Sequence, residues 1–414
     1  MGNADAVVAE LARRAAAAAD SLAEATDAQL ATALSAMARR LTESRDPLAA
    51  ANEQDVAAAE ASGMSAALLD RLRLGTGRLD ELAANLELLA GAAPMVRQVP
   101  VRELPGGLQL LERRRPVGVI GVNYEARPNV TIDVASQLLK SRNAGVLRTG
   151  SAAIGSAQAL HRHVIVPALE EAGIDPEVVQ VVGEPGHEYA AALVRQPELI
   201  RLVILRGSGE TTAALGAEAA RHGVRTLAHA EGGGVLYVDA AADEATLRRL
   251  LAEGTDRLGV CNRVNLVLVH EKAADTFEPV VREVLAGRGI DVHEAPLDHP
   301  IGHEWALDDG REATVTMLRV PDELSAARTA NTETSGLAAT IVTEDADVAG
   351  RFLDRYAGTG AFWNATTRLL DGFKLLAVPE TGINVDHMPG PRGPVTFADL
   401  YLRQYVVVPG PADR

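Results

Sequence analysis

The chain has a single cysteine, Cys261, which lies in the segment LGVCN at 258–262. With no second cysteine it cannot form an intramolecular disulfide, so any thiol chemistry depends on this residue. A thiolate attacks electrophilic carbon. Gly259 lets backbone approach a ligand closely, Asn262 adds an amide, and Arg257 supplies a positive charge that favours the thiolate. The alternative is that Cys261 is a small buried apolar side chain.

A second candidate is Asn129, in the segment YEARPNV at 124–130 that follows the apolar run Val117–Val122. Open α/β sheets bind ligands in loops at the carboxyl ends of their strands, and Pro128 stiffens this loop. The amide of Asn129 is suited to donate to an oxyanion, an effect worth about 3–4 kcal/mol. An ordinary Asn-containing turn is the alternative.

Three further polar turns are candidates for anion or cofactor binding. Arg148, in GVLRTGS at 145–151, ends a strand and can reach a phosphate. The segment LRGSGETT at 205–212 opens a helix, whose first N–H groups bind anions, although it is not a G-x-G-x-x-G motif. In HAEGGG at 229–234 the glycines suit close packing on a planar ligand, and Glu231 is a candidate general base. A flexible turn is the alternative for this last segment.

The elements around these turns indicate an α/β fold. Residues 4–42 and 50–74 have helical spacing and are expected to be scaffold helices. From Leu108 onward, short apolar strands alternate with helical segments, which predicts βαβ units and a mostly parallel sheet. The last segment, 398–410, reads as a strand, and such strands often pair with another subunit.

Composition excludes several classes of protein. The 414 residues suggest two or three domains, and the net charge of −16 argues against nucleic acid as a partner. No apolar run reaches the roughly 18 residues of a membrane span, and the N-terminus reads as an amphipathic helix, not a signal peptide. One cysteine fits a reducing, cytoplasmic location. We find no metal signature among the ten histidines and predict no metal.

Several segments together resemble one family of proteins. RRRPVGVIGVNYEARPNVTIDVASQLLKSRNAGVLRTGS (113–151) is similar to the corresponding segment of glutamate-5-semialdehyde dehydrogenases, also called γ-glutamyl phosphate reductases. The resemblance extends through most of the chain, and its other carriers are ANEQDVAAAEASGMSAALLDRL (51–72), Cys261-Asn262, IVTEDADVAGRFL (341–353), NATTRLLDG (364–372) and RGP (392–394). The family belongs to the aldehyde dehydrogenase superfamily.

The resemblance implies an aldehyde dehydrogenase-like fold with three parts. A Rossmann-like cofactor domain would comprise residues 1–125 and 145–250. An α/β catalytic domain with Cys261 would cover 251–390, and a β oligomerisation arm would comprise 126–144 and 391–414. The family also implies a cytoplasmic homodimer or homotetramer.

The resemblance further implies a mechanism. Cys261 attacks the carbonyl of γ-glutamyl phosphate or a related acyl phosphate and expels phosphate. The Asn129 amide and the Cys261 backbone N–H hold the oxyanion, NADPH reduces the resulting thioester, and the aldehyde is released, as in proline biosynthesis.

The family pattern also assigns binding residues. Arg148 would take the adenosine-ribose phosphate of NADP, with Gly207 and Ser208 by the pyrophosphate and Glu231 and Gly232 also at the cofactor. The expected substrate-binding residues are Arg127, Arg257, Asn364, Thr367 and Arg368.

Some segments depart from the family pattern. The usual Gly-His-Ser-Asp/Glu is Gly-Leu-Ala-Ala at 336–339, PRGG is LRGS at 205–208, and LHARGP is PGPRGP at 389–394. Losing a histidine and an acid removes groups that could hold the charged ends of an amino acid. A specialised paralogue that reduces a modified or carrier-bound acyl group is therefore one alternative. Others are a hydrolytic aldehyde dehydrogenase, with Glu231 activating water, and a non-catalytic cofactor-binding protein.

Overall fold

The structure is a computed structural model that describes residues 2–229, 232–308, 310–386 and 390–410. It confirms the α/β class. The chain divides into two compact units, which are described separately. Unit 1 comprises Met1–His229, Val378–Gly382 and Val395–Arg414, and unit 2 comprises Ala230–Ala377 and Ile383–Pro394.

Fifteen α-helices are found in the described residues. In chain order they are α1 (Asn3–Glu24), α2 (Asp27–Glu43), α3 (Arg45–Ala61), α4 (Ala66–Leu72), α5 (Thr76–Gly91), α6 (Asn129–Lys140), α7 (Ile154–Leu160), α8 (Val166–Glu171), α9 (Glu188–Leu193), α10 (Gly209–His222), α11 (Glu244–Gly254), α12 (Ala274–Ala286), α13 (Glu323–Glu333), α14 (Ala346–Arg355) and α15 (Gly372–Leu376). Among the described residues, none of these helices combines the length and apolar character needed to cross a bilayer.

The described strands number sixteen. They are β1 (Gln98–Leu104), β2 (Leu108–Pro116), β3 (Val119–Tyr124), β4 (Ala144–Thr149), β5 (Val179–Val181), β6 (Ile200–Arg206), β7 (Arg225–His229), β8 (Gly234–Val238), β9 (Val264–His270), β10 (Asp291–His293), β11 (Thr314–Val320), β12 (Ala338–Val342), β13 (Gly360–Trp363), β14 (Gly382–Asn384), β15 (Gly393–Val395) and β16 (Tyr401–Pro409).

The segment 4–42 forms two helices because Thr26 interrupts it. The Thr26 hydroxyl accepts from the Gln29 N–H at 3.2 Å, and the Gln29 side chain accepts from the Thr26 N–H at 3.0 Å. This reciprocal pair is a capping box, which satisfies backbone donors at the start of α2.

Unit 1 is built on a five-stranded parallel sheet in the order β5-β4-β3-β6-β7. Strands β3 and β4 are buried along their whole length, and each is apolar up to its carboxyl end, where β3 carries Asn123 and β4 carries Arg148 and Thr149. The order corresponds to 3-2-1-4-5 along the chain, the arrangement of a Rossmann fold, whose ligand crevice lies where the order reverses. In this sheet that point is at the carboxyl ends of β3 and β6.

The arm differs from the sequence prediction. Residues 126–144, which we expected in the arm, contain α6, and that helix buries ten residues and packs against β3, β4 and α5 within unit 1. The C-terminal strand β16 instead pairs antiparallel with β2, and β2 pairs with β1. A helix buried on most sides has no face left to extend away from its domain.

Unit 2 contains a six-stranded sheet in the order β10-β11-β9-β8-β12-β13, with parallel pairing throughout. One face packs against α11 and α12, and the other against α13 and α14. The predicted boundary at 250/251 falls inside α11. The structure places it near residue 230, because β8 pairs with β9 and β12 and belongs to this sheet.

Candidate functional site

Cys261 lies in the loop that joins α11 to β9, at the amino-terminal edge of the unit 2 sheet. The side chain is partly buried and packs against an apolar cluster formed by Leu337, Ala338, Leu370 and Ile383. The thiol is therefore neither sealed in the core nor fully in solvent. A cysteine at the tip of a fixed loop with one apolar wall can meet a bound carbonyl group.

The three glycines at 232–234 hold the backbone of this loop. Gly233 N–H donates to the Cys261 carbonyl at 2.7 Å, and Gly234 N–H donates to the Arg263 carbonyl at 2.6 Å. A Cβ on Gly232 would lie 2.7 Å from the Cys261 Cα and 2.6 Å from its carbonyl oxygen. Only glycine fits there, so the close approach that we expected toward a planar ligand is made to the cysteine loop.

Gly232 is itself fixed from two sides. Its N–H donates to Glu304 Oε2 at 2.8 Å, and its carbonyl accepts from the Ser335 hydroxyl at 3.0 Å. Glu304 thus acts on the Cys261 loop through one glycine.

Thr367 and Arg368 hold the loop from the segment that follows β13. The Thr367 hydroxyl donates to the Asn262 carbonyl at 2.8 Å, and the Asn262 amide donates to the Leu370 carbonyl at 3.0 Å. Arg368 donates to the Asn262 side-chain oxygen and, through Nε, to Asp256 at 2.8 Å. The side chains that we expected to bind substrate here contact the backbone and side chains that carry the cysteine.

Arg263 is a buried cation that the sequence analysis did not single out. Its side chain is only 1% exposed, and its guanidinium donates to the carbonyls of Glu312 and Thr314. Burial lowers the pKa of Arg263 to about 10, and the charge of Glu304 opposes that shift. An arginine directly before an apolar strand was the available signal, because such a residue must find partners inside the fold.

Asn364 and Arg257 differ in position. Asn364 has φ +48° and follows β13 at the carboxyl edge of the sheet, opposite the edge that carries Cys261. Its amide donates to the Thr343 carbonyl at 3.0 Å, and its oxygen accepts from the Thr343 N–H at 3.1 Å. These contacts give Asn364 a backbone-capping role, and its expected substrate role stays a prediction. Arg257 lies in the Cys261 loop and is exposed.

In unit 1, Asn129 is the first residue of α6, and a four-residue loop separates it from the carboxyl end of β3. The buried Tyr124 hydroxyl and the Thr131 hydroxyl lie 2.8 Å apart and join strand to helix. The Asn129 amide nitrogen donates to Asp133 Oδ2 at 3.2 Å, one helical turn on. One of its two amide hydrogens is therefore donated to Asp133, and the other can be donated to a ligand.

Asp133 is a second residue that sequence reasoning missed. Burial raises the pKa of its carboxyl to about 7, the Arg206 guanidinium opposes this, and the Glu380 carboxylate adds to it. The Asn129 hydrogen bond also opposes the rise. A carboxyl that titrates near neutrality beside a candidate oxyanion donor is typical of a functional site.

Arg127 is paired within its own loop. Its Nε donates to Glu125 Oε2 at 3.2 Å, and the Arg127 side chain remains 33% exposed. Gly150 packs on this loop so closely that a Cβ would lie 2.8 Å from the Ala126 nitrogen. The loop is thus fixed, while the Arg127 guanidinium still reaches solvent.

Arg148 is buried at the carboxyl end of β4, beside β3. Its guanidinium donates to Asn123 Oδ1 at 3.1 Å and to the Gly186 carbonyl at 2.8 Å. Burial lowers its pKa, and Nε has no hydrogen-bond partner in the described residues. A buried cation with a donor to spare suits an anionic group.

Gly207 and Ser208 follow β6 and lead directly into α10. The Ser208 hydroxyl accepts from the Thr211 N–H at 3.5 Å and donates to the Thr211 hydroxyl at 3.0 Å, which caps the helix. This confirms the strand, turn and helix predicted for 205–212. This turn follows β6, the strand next to β3, at the point where the order of the strands reverses. Glu231, the predicted base and cofactor contact, lies outside the described residues.

Comparisons with known proteins agree with this architecture. Residues 2–292 match the model of the aldehyde dehydrogenase family. A γ-glutamyl phosphate reductase from Thermotoga maritima is 29% identical, with 96% of this chain and 97% of that chain covered and a TM-score of 0.87. The γ-glutamyl phosphate reductase of Saccharomyces cerevisiae is 23% identical, covers 100% and 99%, and has a TM-score of 0.53. An engineered glycolyl-CoA reductase with bound NADP+ is 15% identical, covers 96% of each chain, and has a TM-score of 0.73.

Proposed function

The chain belongs to the aldehyde dehydrogenase family and is an oxidoreductase that acts on aldehydes, and we propose that it reduces an acyl phosphate to the aldehyde through a thioester on Cys261. The observation that carries this proposal is the Cys261 loop, which is fixed by Gly232, Gly233 and Thr367 and leaves the side chain partly accessible. The likeness to the Thermotoga maritima reductase, at 29% identity over 96% of this chain, supports γ-glutamyl phosphate or a related acyl phosphate as substrate.

In the proposed reaction the Cys261 sulfur bonds to the acyl carbon, and phosphate leaves with the electron pair of the broken C–O bond. The Asn129 amide and the Cys261 N–H stabilise the oxyanion. NADPH, when bound, supplies the hydride that reduces the thioester carbon. The C–S bond then breaks, Cys261 returns to the thiolate, and the aldehyde is released.

Features of unit 1 support NADP binding. Arg148 keeps an unpartnered buried Nε, which suits the adenosine-ribose phosphate. The start of α10 follows Gly207 and Ser208 at the reversal of the sheet order, where dinucleotide pyrophosphates bind in Rossmann folds. We propose these three residues as cofactor contacts and keep Glu231, which lies outside the described residues, in that role, whereas Gly232 holds the Cys261 loop.

The proposed substrate-binding residues come from the family pattern, and the hydrogen bonds of the structure change the role of two of them. Arg127 and Arg257 keep the substrate-binding role. Thr367 and Arg368 position the Cys261 loop through Asn262. We further propose a cytoplasmic homodimer or homotetramer that makes an intermediate of proline biosynthesis, with no nucleic acid or membrane partner.

One observation favours a second candidate, a specialised paralogue with a different acyl group. The residues at 337 and 338, where the family has a histidine and a serine, are Leu337 and Ala338, and both are buried in the cluster against which Cys261 packs. An apolar wall beside the nucleophile suits an acyl group with fewer charges than free glutamate. No contact in the described residues favours a hydrolytic dehydrogenase or a protein without activity.

The test is aldehyde oxidation, the reverse reaction, with reduced cofactor followed by absorbance. Glutamate 5-semialdehyde should be oxidised only when phosphate is present, with NADP preferred to NAD and no turnover by Cys261→Ala. Phosphate-independent oxidation would indicate the hydrolytic reaction. Phosphate-dependent turnover of other aldehydes, without glutamate 5-semialdehyde, would select the specialised paralogue.

A further inference from the structure

A histidine-rich loop of unit 2 carries several side chains to which the proposed reaction assigns no role. This loop, residues 293–311 without Asp309, connects β10 to β11 and is called the histidine loop below. Within it, His299, His303 and Asp308 each place one potential ligand atom so that all three atoms lie within 4.8 Å of one another.

Further imidazole and carboxylate groups lie close to these three side chains. His303 Nε2 lies 3.0 Å from Asp308 Oδ2, and the His299 and His303 rings stack with centroids 4.3 Å apart. On the far side, Asp298 Oδ1 lies 3.8 Å from His299 Nε2 and 3.0 Å from His293 Nε2. Two further groups are thus available as outer partners for a bound ion.

The histidine loop is anchored where it carries these side chains. Trp305 is fully buried, its indole N–H donates to the Thr316 hydroxyl at 2.9 Å, and its backbone N–H donates to Asn265 Oδ1 at 3.2 Å. The Asn265 amide also donates to the His303 carbonyl. Binding a ligand here requires side-chain adjustment but no refolding of the loop.

Arg311 lies beside His299. Its Nη1 lies 2.9 Å from His299 Nε2 and its guanidinium lies 4.4 Å over the Trp305 ring. Arg311 is 41% exposed and lies 3.6 Å from Asp298, so it can move to that carboxylate when a cation enters.

The ligand chemistry selects the ion. Two imidazoles and one carboxylate suit Zn²⁺ and related transition metals, whereas Mg²⁺ and Ca²⁺ prefer all-oxygen sites. Zinc binds these groups at about 2 Å, so side-chain shifts of roughly 1 Å would bring the three atoms to one ion. Partial exposure of the side chains, 22% for His303 and 30% for Asp308, gives the ion a path in.

We propose that His299, His303 and Asp308 bind a divalent transition-metal ion of the zinc type, with water as the fourth ligand. The His-x-x-x-His spacing of 299 and 303 is a sequence signal that our expectation of no metal overlooked. The ion also acts on the Cys261 loop, because Glu304, next to His303, accepts from the Gly232 N–H at 2.8 Å.

The experiment is a Co²⁺ and Zn²⁺ titration of untagged full-length protein carrying Cys261→Ser, so that the thiol cannot bind the metal. We expect one ion per chain, with the visible absorption bands of four-coordinate Co²⁺ that Zn²⁺ abolishes. His299→Ala and His303→Ala should each weaken binding by more than about tenfold. His222→Ala is the matched control, since His222 lies 3.4 Å from Glu218 and does not belong to the proposed metal cluster, and it should bind as the parent does.

Two outcomes would overturn the site: no stoichiometric binding by the parent, or parental affinity in all variants. If an alanine variant fails to fold, Asp308→Asn decides, because it keeps the side-chain size while removing the charge. The effect on the cysteine loop is measured by hydrogen exchange at 232–234, which Zn²⁺ should slow. Binding with unchanged exchange would contradict that effect.

Discussion

The loop of Cys261 and the loop of Asn129 are positioned in different ways. Asn129 follows a buried strand and begins a helix, so its place is set by local strand-turn-helix structure. Cys261 precedes a strand, and distant segments hold its loop, including a hydrogen bond from Asn262 to a carbonyl 108 residues along the chain. A local motif can be recognised from sequence, whereas a loop built by distant contacts cannot.

The largest effect is expected for Asn129→Ala. Loss of one oxyanion donor should lower kcat by about 100- to 1,000-fold with little change in the substrate KM. Steady-state acyl reduction measures this, and Asn129→Ser, which keeps a donor, should recover part of the loss. A kcat within threefold of wild type would remove Asn129 from the mechanism and leave the Cys261 loop as the whole site.

Gly232→Ala tests the loop built by distant contacts. The new Cβ would lie 2.7 Å from the Cys261 Cα, so the loop must shift, and a shift of about 1 Å can cost about 100-fold in kcat. The matched control is Gly350→Ala in α14, where a Cβ meets nothing within 4 Å, and its kcat should be unchanged. Equal activity of both variants would show that the glycine contact does not position the thiol.

Arg148→Ala separates a cofactor role from a structural one. Losing a charge-assisted contact to the ribose phosphate should raise the KM for NADPH by about tenfold or more while leaving the KM for NADH unchanged. The two KM values are measured side by side with the same acyl substrate. An equal rise in both would mean that Arg148 serves the fold through Asn123 and Gly186.

The smallest effect is a pH dependence of stability due to Asp133. The pKa of this carboxyl is about 7 in the fold, against an ordinary value of 3.8, so the folded state binds the proton more tightly than the unfolded chain does. This carboxyl therefore lowers the free energy of unfolding as pH rises from about 4 to about 7. Urea unfolding at pH 5 and pH 7.5 should show this fall in wild type and a smaller fall in Asp133→Asn. Identical pH dependence of the two proteins would contradict the raised pKa of the Asp133 carboxyl.

Much of the fold could be predicted from sequence, because its elements carry local signals. The apolar run before Asn129 forms a strand, and the turn at Gly207 leads into a helix, as the patterns predict. The domain boundary could not be predicted, since it depends on β8 pairing with β12, about 100 residues away along the chain. The burial of α6 also depends on packing that no local pattern encodes.

The sequence indicates which residues belong to the candidate site better than it indicates what each of them does. The sequence singles out Cys261, Asn129 and Arg148 by their chemistry and their positions next to strands, and their roles stay predictions. Thr367 and Arg368 were expected at the substrate, and the structure shows them bonded to Asn262. A polar side chain in a motif does not reveal whether it faces a ligand or a neighbouring loop, because that depends on the tertiary contact.

The most direct test of the proposed reaction is the intact mass of the protein after mixing with acyl phosphates, including γ-glutamyl phosphate generated in situ, in the absence of NADPH. We expect one acyl adduct per chain, mapped by peptide analysis to Cys261, which disappears on addition of NADPH and does not form with Cys261→Ser. An adduct that persists in Cys261→Ser, or turnover of an acyl phosphate with no adduct on Cys261, would contradict the thioester.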